Sequence, residues 1–421
     1  MRSADVFETG CFDGTVGLKS MFTQSSTCDL SVEVVIRKLL AYCRANQWAG
    51  YDPYDALNSR LIRLAPLLDA RIPRLCLTQA LKRSPVNVRH LLLVPRTQNA
   101  KGMALFLSAF VNLSEVGVPI LEREVDLMIE RLIGLRSKGV PYWCWGYSFP
   151  WQTRTVLVPA GAPNLVCTAF VSNALLDVYQ RHGDSRCLEM AVSAAEYMVN
   201  VLYWEGRSPS GAGFSYPMPG LRSRTHNANF LGASLLCRVY KLTREARFLG
   251  PALTAARYSA GEQKLDGSWA YGEAASQQWI DNFHTGYNLC ALRAICRDAE
   301  TAEFESYVRR GFEFYRSHFF RNRGAVRYFH NRDYPIDTHC VAQSIITLVR
   351  LKDLDPRNVS LAHLVLGWTM RHMWDDRGFF YYRALRFCTV RISYMRWTQA
   401  WMLLALSMLM AESGGYGKAE A

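Results

Sequence analysis

The chain repeats a helical pattern at intervals of 55 to 58 residues, and this repeat constrains the fold more than any other feature. The segments THNANFLGASLLCRVY, NFHTGYNLCALRAI, THCVAQSIITLVRL and RWTQAWMLLALSML begin helices near His226, His284, His339 and Trp397, at steps of 58, 55 and 58 residues. A step of 58 back from His226 reaches Thr168, in the similar segment PNLVCTAFVSNALL. This period exceeds that of the commonest solenoid repeats and fits one pair of helices with a long loop.

Apolar residues are spaced as in amphipathic helices along most of the chain. Near the start, Val32, Val35, Ile36, Leu39, Leu40 and Cys43 recur at intervals of three and four. This spacing places them on one buried helical stripe. Few segments alternate apolar and polar residues, so β-structure is expected only as short ribbons. The pattern predicts an all-α fold.

Repeated helical hairpins must bury their apolar stripes on one another, which an open solenoid or a closed ring can do. Just upstream of each helix start lies an aromatic loop: CWGYSFPWQ, GFSYPMP, GSWAYGE, AVRYFHN and GFFYYRA. A closed ring would bring these polar and aromatic loops around one cavity. We therefore expect an (α/α) toroid of six, possibly seven, helical hairpins, with short loops or ribbons at its mouth.

The composition is that of a globular protein with a basic surface. Half of the 421 residues are hydrophobic, which excludes a disordered or low-complexity chain. The net charge of +13 suits an anionic partner, such as an acidic polysaccharide, a nucleic acid or a lipid surface, and does not choose among them. The cations are scattered and no run of five or more occurs, so the sequence predicts no basic arm and no nucleic-acid partner.

The domain organisation is expected to be simple. Residues 1–28 lack periodicity and predict a loosely ordered arm, residues 29–412 a single toroid domain, and residues 413–421 a flexible tail. The N-terminus lacks the features of a secretory signal, and no apolar stretch is long enough to span a membrane. The 12 cysteines form no CxxC pair and are interpreted as reduced, mostly buried residues, which favours the cytoplasm.

Several segments resemble a family of bacterial exopolysaccharide-biosynthesis proteins. They are YDPYDALNS, CWGYSFPWQTR, PNLVCTAFVSNALLDVY, DGSWAYGE and IDNFHTGYNL, and the likeness extends from about residue 30 to 410. That family is similar to the six-hairpin glycosidase superfamily, whose fold is the (α/α) toroid. The resemblance implies a carbohydrate site in the toroid mouth. It leaves the reaction open, because the superfamily includes hydrolases, lyases and sugar epimerases.

The block from Trp269 to Tyr287 is the strongest candidate for chemistry. Asp281 can cap the first turn of a helix, which would place His284 one turn inside and Tyr287 on the same face. We predict Asp281 and His284 as catalytic residues, assisted by Glu273, Asp337 and His339. The predicted substrate-binding residues are Trp145, Trp151, Arg154, His226, Trp269, Asn282, Tyr287 and Trp397.

Structural roles compete with each of these assignments. Asp281 and Asp337 are equivalent positions of adjacent repeats, and both can act as helix caps alone. The histidines of successive repeats can simply pack one hairpin on the next. Their spacing lacks the local HxxxH signal of a metal site, so no metal and no cofactor are predicted.

Three chemistries remain open for an enzyme on a glycan substrate. A glycoside hydrolase would use two carboxyl groups across the scissile bond. A uronate lyase would use His284 or Tyr287 as base, with Asn282 or Arg154 neutralising the carboxylate. An epimerase would use facing histidines such as His284 and His339. A non-catalytic glycan-binding component of an exopolysaccharide assembly system is the remaining alternative.

Overall fold

The chain folds into helices joined by loops, as given by a computed structural model that describes residues 31–65, 69–206 and 211–416. In chain order, the helices are α1 (Val32–Ala45), α2 (Arg60–Arg63), α3 (Arg71–Arg83), α4 (Ala100–Glu115), α5 (Glu122–Gly134), α6 (Leu165–His182), α7 (Ser185–Tyr197), α8 (His226–Thr243), α9 (Leu249–Gly261), α10 (Asn282–Asp298), α11 (Glu305–Phe319), α12 (Thr338–Arg350), α13 (Asn358–Met373) and α14 (Trp401–Tyr416). The predicted arm 1–28 and residues 417–421 of the predicted tail lie outside the described residues.

Alternate helices form a closed inner ring. Each of α4, α6, α8, α10, α12 and α14 packs against the next in this order, and α14 packs back against α4. The outer helices α5, α7, α9, α11 and α13 each pack on the inner helix that precedes them, whereas α1 packs on α14. The described residues therefore form a six-hairpin toroid, and the two ends of the chain supply the hairpin that closes it.

Side-chain caps fix where most inner helices begin. Asn99, Asn164, Asp281 and Asp337 each accept a backbone N–H of the first turn of α4, α6, α10 and α12, respectively. Such caps satisfy donors that the helix itself leaves free. The repeated helix starts found in the sequence are thus the starts of the inner helices, which confirms the predicted fold.

The inner helices pack closely because small residues lie where they meet. In α10, a Cβ atom at Gly286 would come within 2.7 Å of Gln343 Cγ and Thr347 Oγ1 of α12. The absence of a side chain at this position lets the two helices approach each other. The inner helix α14 is buried through most of Trp401–Leu409, as its Met-, Leu- and Ala-rich sequence predicts.

The β-structure consists of short ribbons in the loops between hairpins. The strands are β1 (Trp151–Gln152), β2 (Leu157–Val158), β3 (Tyr203–Glu205), β4 (Ala212–Phe214), β5 (Ile336–Asp337), β6 (Trp374–Asp375), β7 (Phe379–Phe380), β8 (Arg383–Ala384) and β9 (Thr389–Val390). All pairs are antiparallel, and β5, β8 and β9 form one sheet in that order. This sheet places Arg383 directly opposite Asp337.

The described cysteines are mostly buried, and the helices pack around a common hydrophobic core. Of the ten described cysteines, all are free and eight are buried, with Cys76 and Cys388 exposed. Among the helices that the structure describes, none combines the length and apolar character needed to cross a membrane.

Candidate active site

We define the mouth as the end of the ring at which the inner helices begin. Asp281 and His284 form a hydrogen-bonded pair there, in the first turn of α10. The Asp281 carboxylate accepts the backbone N–H of His284 at 2.9 Å and its ring Nδ1–H at 2.7 Å. The indole N–H of Trp279 donates to the same carboxylate at 3.0 Å. Since Nδ1–H points to the carboxylate, Nε2 of the neutral ring keeps a free lone pair.

His284 is the exposed member of this pair. Its side chain keeps 20% of its surface accessible, against 1% for Asp281. The ring of Tyr271 lies 4.6 Å from the imidazole between centroids, and Tyr271 stacks on Trp279 at 4.6 Å. The pair thus presents an oriented imidazole beside aromatic rings, which is an arrangement suited to general base catalysis on a stacked sugar.

Each aromatic loop contributes a tyrosine near the mouth. They are Tyr147, Tyr216, Tyr271, Tyr328 and Tyr382, one from each of the five repeated loops, and Tyr54 from the segment before α2. All except Tyr382 are partly exposed. Burial raises the pKa of Tyr216 to about 12, and it raises the pKa of Tyr147 and Tyr271 well above the ordinary value. These phenols are therefore neutral and able to donate hydrogen bonds.

His339 lies beneath the mouth rather than in it. It is 1% exposed, and its Nε2 lies 2.6 Å from the Tyr287 hydroxyl, which is also buried. Its ring stacks on Phe283 and Trp401, and its buried Nδ1 has no hydrogen-bond partner. Burial lowers the pKa of His339 well below its ordinary value. A two-histidine proton shuttle from His284 to His339 does not fit this burial.

Asp337 is fully buried and already committed to neighbouring groups. Its carboxylate caps α12, accepts the indole N–H of Trp397 at 2.9 Å and forms an ion pair with Arg383 at 2.7 Å. Trp397 itself is 5% exposed. The two residues therefore join the start of α12 to the neighbouring loops. Neither has a free group or face to offer a substrate.

Trp145, Trp269 and His226 lie in the core, which corrects their assignment as substrate-binding residues. The indole N–H of Trp145 donates to the Leu132 carbonyl at 2.7 Å, and that of Trp269 to the Ser259 carbonyl at 3.0 Å. The His226 ring lies 3.4 Å from the hydroxyl of the same Ser259. All three are at most 2% exposed. Buried rings of this kind cannot stack on a sugar.

Asn282 also has a structural role. Its amide N–H donates to Ser344 of α12 at 3.1 Å, and its carbonyl accepts the Tyr315 hydroxyl of α11 at 3.0 Å. The side chain is completely buried. It ties three helices together and is not available to neutralise a uronate carboxylate.

The remaining predicted residues lie in the loops around the mouth. Glu273 forms an ion pair with Arg224 at 2.8 Å and accepts a hydrogen bond from the Tyr258 hydroxyl. Trp151 is partly buried at the start of β1, with its ring 6.1 Å from that of Tyr147. Arg154 is exposed on the turn that joins β1 to β2. No contact in the structure links any of them to the Asp281–His284 pair.

A buried ion pair that the sequence did not reveal supports the mouth. Arg396 contacts both oxygens of Asp52 at 2.7 and 2.8 Å, and its guanidinium lies 5.0 Å from the centre of the Tyr147 ring. Asp52 is part of the segment YDPYDALNS, but its partner is 344 positions away. Trp279 and the repeated tyrosines were also not predicted as site residues, although the tyrosines lie in the aromatic loops found upstream of the helix starts.

Among the residues that the structure describes, no three His, Cys, Asp or Glu side chains group so as to hold a metal ion.

Solved structures share the toroid at low sequence identity. A GH76 alpha-mannanase of Bacteroides thetaiotaomicron aligns with a TM-score of 0.60 and 11% identity, over 77% of this chain and 88% of that one. A sugar epimerase from a ruminal bacterium gives 0.57 and 12%, over 76% and 90%. A polysaccharide lyase gives 0.55 and 11%, over 92% and 98%. These likenesses show the fold. No protein-family model and no curated protein match the sequence.

Proposed function

We propose that the chain is a carbohydrate-active enzyme that moves a proton at a sugar carbon, as an epimerase or isomerase does. The observation that carries this proposal is the Asp281–His284 pair, which leaves Nε2 of a partly exposed imidazole free at the mouth. A histidine is an effective base near neutral pH because its ordinary pKa of about 6.5 lies close to the working range.

The positions of the carboxyl groups make hydrolysis a weaker fit than the sequence suggested. A glycosidase needs one carboxyl group to donate a proton and a second to attack or to activate water. Asp281 orients His284, Asp337 is sealed against Arg383, and Glu273 is bound by Arg224 and Tyr258. None of the three predicted carboxylates is free at the mouth.

A uronate lyase would need a cation to neutralise the substrate carboxylate. The arginines that lie against tyrosines of the mouth are Arg383 and Arg396, and both already pair with buried carboxylates. Neither guanidinium is therefore free to neutralise a substrate carboxylate, which supports a neutral sugar at this end. The remaining described cation there, Lys82, donates to the Tyr54 hydroxyl at 2.6 Å. The similar structures include a protein named as a D-mannose isomerase and one named as a sugar epimerase, so the toroid can support such a reaction.

The proposed step acts on the open-chain form of a reducing sugar. Nε2 of His284 removes the proton from the carbon beside the aldehyde, the C–H electrons form a C=C bond, and the carbonyl electrons move to oxygen. Neutral phenols such as those of Tyr271 and Tyr216 stabilise the resulting enediolate by hydrogen bonding. A phenol or water then returns a proton to the opposite face of the carbon as the C=O bond re-forms, which yields the epimer. His284 gives up its proton to solvent and solvent reprotonates the donor, so both groups are restored.

Isotope exchange tests the proposal directly. The purified protein is incubated in D₂O with a panel of neutral reducing mono- and oligosaccharides, followed by NMR and mass spectrometry. We expect deuterium at the carbon beside the aldehyde and formation of an epimer or isomer. New reducing ends would indicate hydrolysis, ultraviolet-absorbing products from uronic glycans would indicate elimination, and binding without any of these would indicate a non-catalytic protein. Each of these three results would overturn the proposal.

Variants then assign the residues. His284→Ala should abolish the exchange, and Asp281→Asn should reduce it by about 10²-fold or more, because asparagine can still cap α10 but no longer orients the ring as the carboxylate does. His372→Ala, an exposed histidine of α13, is the matched control. Full exchange by folded His284→Ala would show that the site assignment is wrong.

The biological setting is part of the same proposal. The resemblance of the quoted segments to exopolysaccharide-biosynthesis proteins supports a substrate drawn from exopolysaccharide metabolism, and the composition supports action in the cytoplasm. A screen of sugars and oligosaccharides released from such polymers, set beside unrelated sugars, tests this choice of substrate.

A further inference from the structure

A cavity opens at the end of the ring opposite the mouth. Its volume is about 840 Å³, and residues of α4, α6, α8, α10, α12 and α14 line it. The lining extends to the C-terminal parts of several of these helices, as at Asn112 in α4, Gln180 in α6 and Lys241 in α8, and it includes neither Asp281 nor His284. The cavity is therefore distinct from the end at which Asp281 and His284 lie. Its size is sufficient for an oligosaccharide.

Ion pairs across neighbouring helices build the rim of this cavity. Arg238 of α8 binds Asp177 of α6 at 2.7 Å, and Lys241 of α8 lies 3.3 Å from Asp298 of α10. These pairs hold adjacent inner helices together near their C-terminal ends. The charged residues of the lining are the cations Arg238, Lys241, Arg293, Arg297 and Arg350 and the anions Asp177, Asp298 and Glu305. The rim therefore carries a surplus of positive charge.

Arg350 supplies a cation that no carboxylate neutralises. It is the last residue of α12, it is exposed, and no Asp or Glu among the described residues lies within ion-pair distance of it. A cation at a helix C-terminus also interacts favourably with the helix dipole. Of the five N–H donors of Arg350, most remain available for a ligand, because the guanidinium lies at an open cavity with only the Cys290 thiol identified as a side-chain neighbour among the described residues.

A buried lysine without an ion-pair partner among the described residues lies beneath the cavity. Lys101 of α4 is 3% exposed, and its Nζ lies 4.1 Å from the ring centre of Phe170, 5.1 Å from that of Trp401 and 5.3 Å from that of Tyr287. These three rings also line the cavity. Nζ has no carboxylate partner among the described residues. Burial lowers the pKa of Lys101 well below its ordinary value.

We infer that this cavity is a second ligand site that binds an anionic carbohydrate, one bearing a carboxylate or a phosphate. The guanidinium of Arg350 and the basic rim would receive the anion. The partly exposed ring of Phe170 offers a surface for the sugar, and the partly exposed amides of Asn112 and Asn173 offer hydrogen bonds to its hydroxyl groups. The inference does not depend on the reaction proposed at the mouth.

Calorimetric titration of the full-length protein tests this site with four probes. They are an oligogalacturonate, glucose 1-phosphate, a neutral maltooligosaccharide of matched length, and inorganic phosphate. We expect one or both anionic sugars to bind at least tenfold more tightly than the neutral sugar and than phosphate alone, with an affinity that falls as salt is added. The tighter of the two anionic sugars identifies the charged group.

Two variants locate the binding. Arg350→Gln should weaken it about tenfold, because a hydrogen bond to a charged group is lost. Ala294→Trp should abolish it, because the indole occupies the cavity beside α10. Arg309→Gln, an exposed arginine of α11, and His284→Ala should leave the affinity unchanged.

Several results would overturn the inference. They are equal binding of the neutral sugar, equal binding of bare phosphate, no binding at all, and unchanged affinity in folded Arg350→Gln and Ala294→Trp proteins. Loss of binding in His284→Ala would place the anionic sugar at the mouth and would equally contradict a second site. Because His284→Ala tests the mouth, failure of the second ligand site can be distinguished from failure of the reaction proposed at the mouth.

Discussion

Removal of the Asp52 carboxylate should destabilise the protein strongly, since it leaves Arg396 buried without its counter-ion. The side chains of Asp52 and Arg396 are 7% and 6% exposed, and they share two charge-assisted hydrogen bonds at 2.7 and 2.8 Å. Each such bond contributes about 1.5–3 kcal/mol, and breaking a buried ion pair by removing one partner costs about 3–5 kcal/mol. We expect Asp52→Ala to lower the free energy of unfolding by about 3–5 kcal/mol.

Urea denaturation followed by tryptophan fluorescence and by circular dichroism measures this change. Glu33→Ala is the matched control, because it breaks an ion pair with Arg37 whose two side chains are 45% and 54% exposed. Exposed pairs contribute about 0.2–1 kcal/mol, so the control should change little. The double variant Asp52→Ala/Arg396→Leu should be less destabilised than Asp52→Ala, since no unpaired charge remains buried.

The reasoning would be refuted by a loss in Asp52→Ala no larger than that in Glu33→Ala. It would also be refuted by a double variant that is less stable than Asp52→Ala. Either result would mean that Arg396 does not depend on Asp52 in the folded protein.

Three further predictions concern pH, packing and the tyrosines. Burial lowers the pKa of His226 to about 4, below its unfolded value near 6.5. The contribution of the neutral ring to stability is therefore complete above pH 6.5 and is lost as the pH falls toward 4. His226→Gln should reduce the difference in unfolding free energy between pH 7 and pH 4 by about 3 kcal/mol, whereas His372→Gln should leave that difference unchanged. Gly286→Ala should lower the unfolding free energy by about 1–3 kcal/mol because of overpacking against α12. Gly250→Ala, whose Cβ would meet nothing within 4 Å, should be neutral or stabilising. Equal effects of the two variants on the unfolding free energy would contradict the packing argument. Tyr271→Phe should reduce the isotope exchange about tenfold or more without unfolding the protein, and Tyr240→Phe should leave it intact, as circular dichroism and the D₂O assay would show.

Much of the site could be predicted from the sequence where the interaction is local. The caps by Asp281 and Asp337 bond to backbone N–H groups only three and two residues ahead, and the histidine–carboxylate pair lies within one turn of α10. Such contacts follow from helix geometry alone. Trp145 and Trp269, in contrast, lie in irregular loops whose residues have no period, so nothing in the sequence indicated that both rings turn into the core.

The repeat by itself determined that the helical hairpins stack on one another, because stripes of apolar residues at a fixed period can be buried only in that way, and the aromatic loops favoured a closed ring over an open solenoid. The tertiary structure alone decided which polar groups remain free. Asp337 is neutralised by Arg383 from 46 positions away and accepts a hydrogen bond from Trp397, 60 positions away, so its availability depends on ring closure. The two ends of the inner ring also became distinct only in three dimensions. The sequence shows where each helix starts and ends. It does not show that aromatic loops fill one end of the ring and that an open cavity lies at the other, because this depends on side chains that all the inner helices direct into the same space.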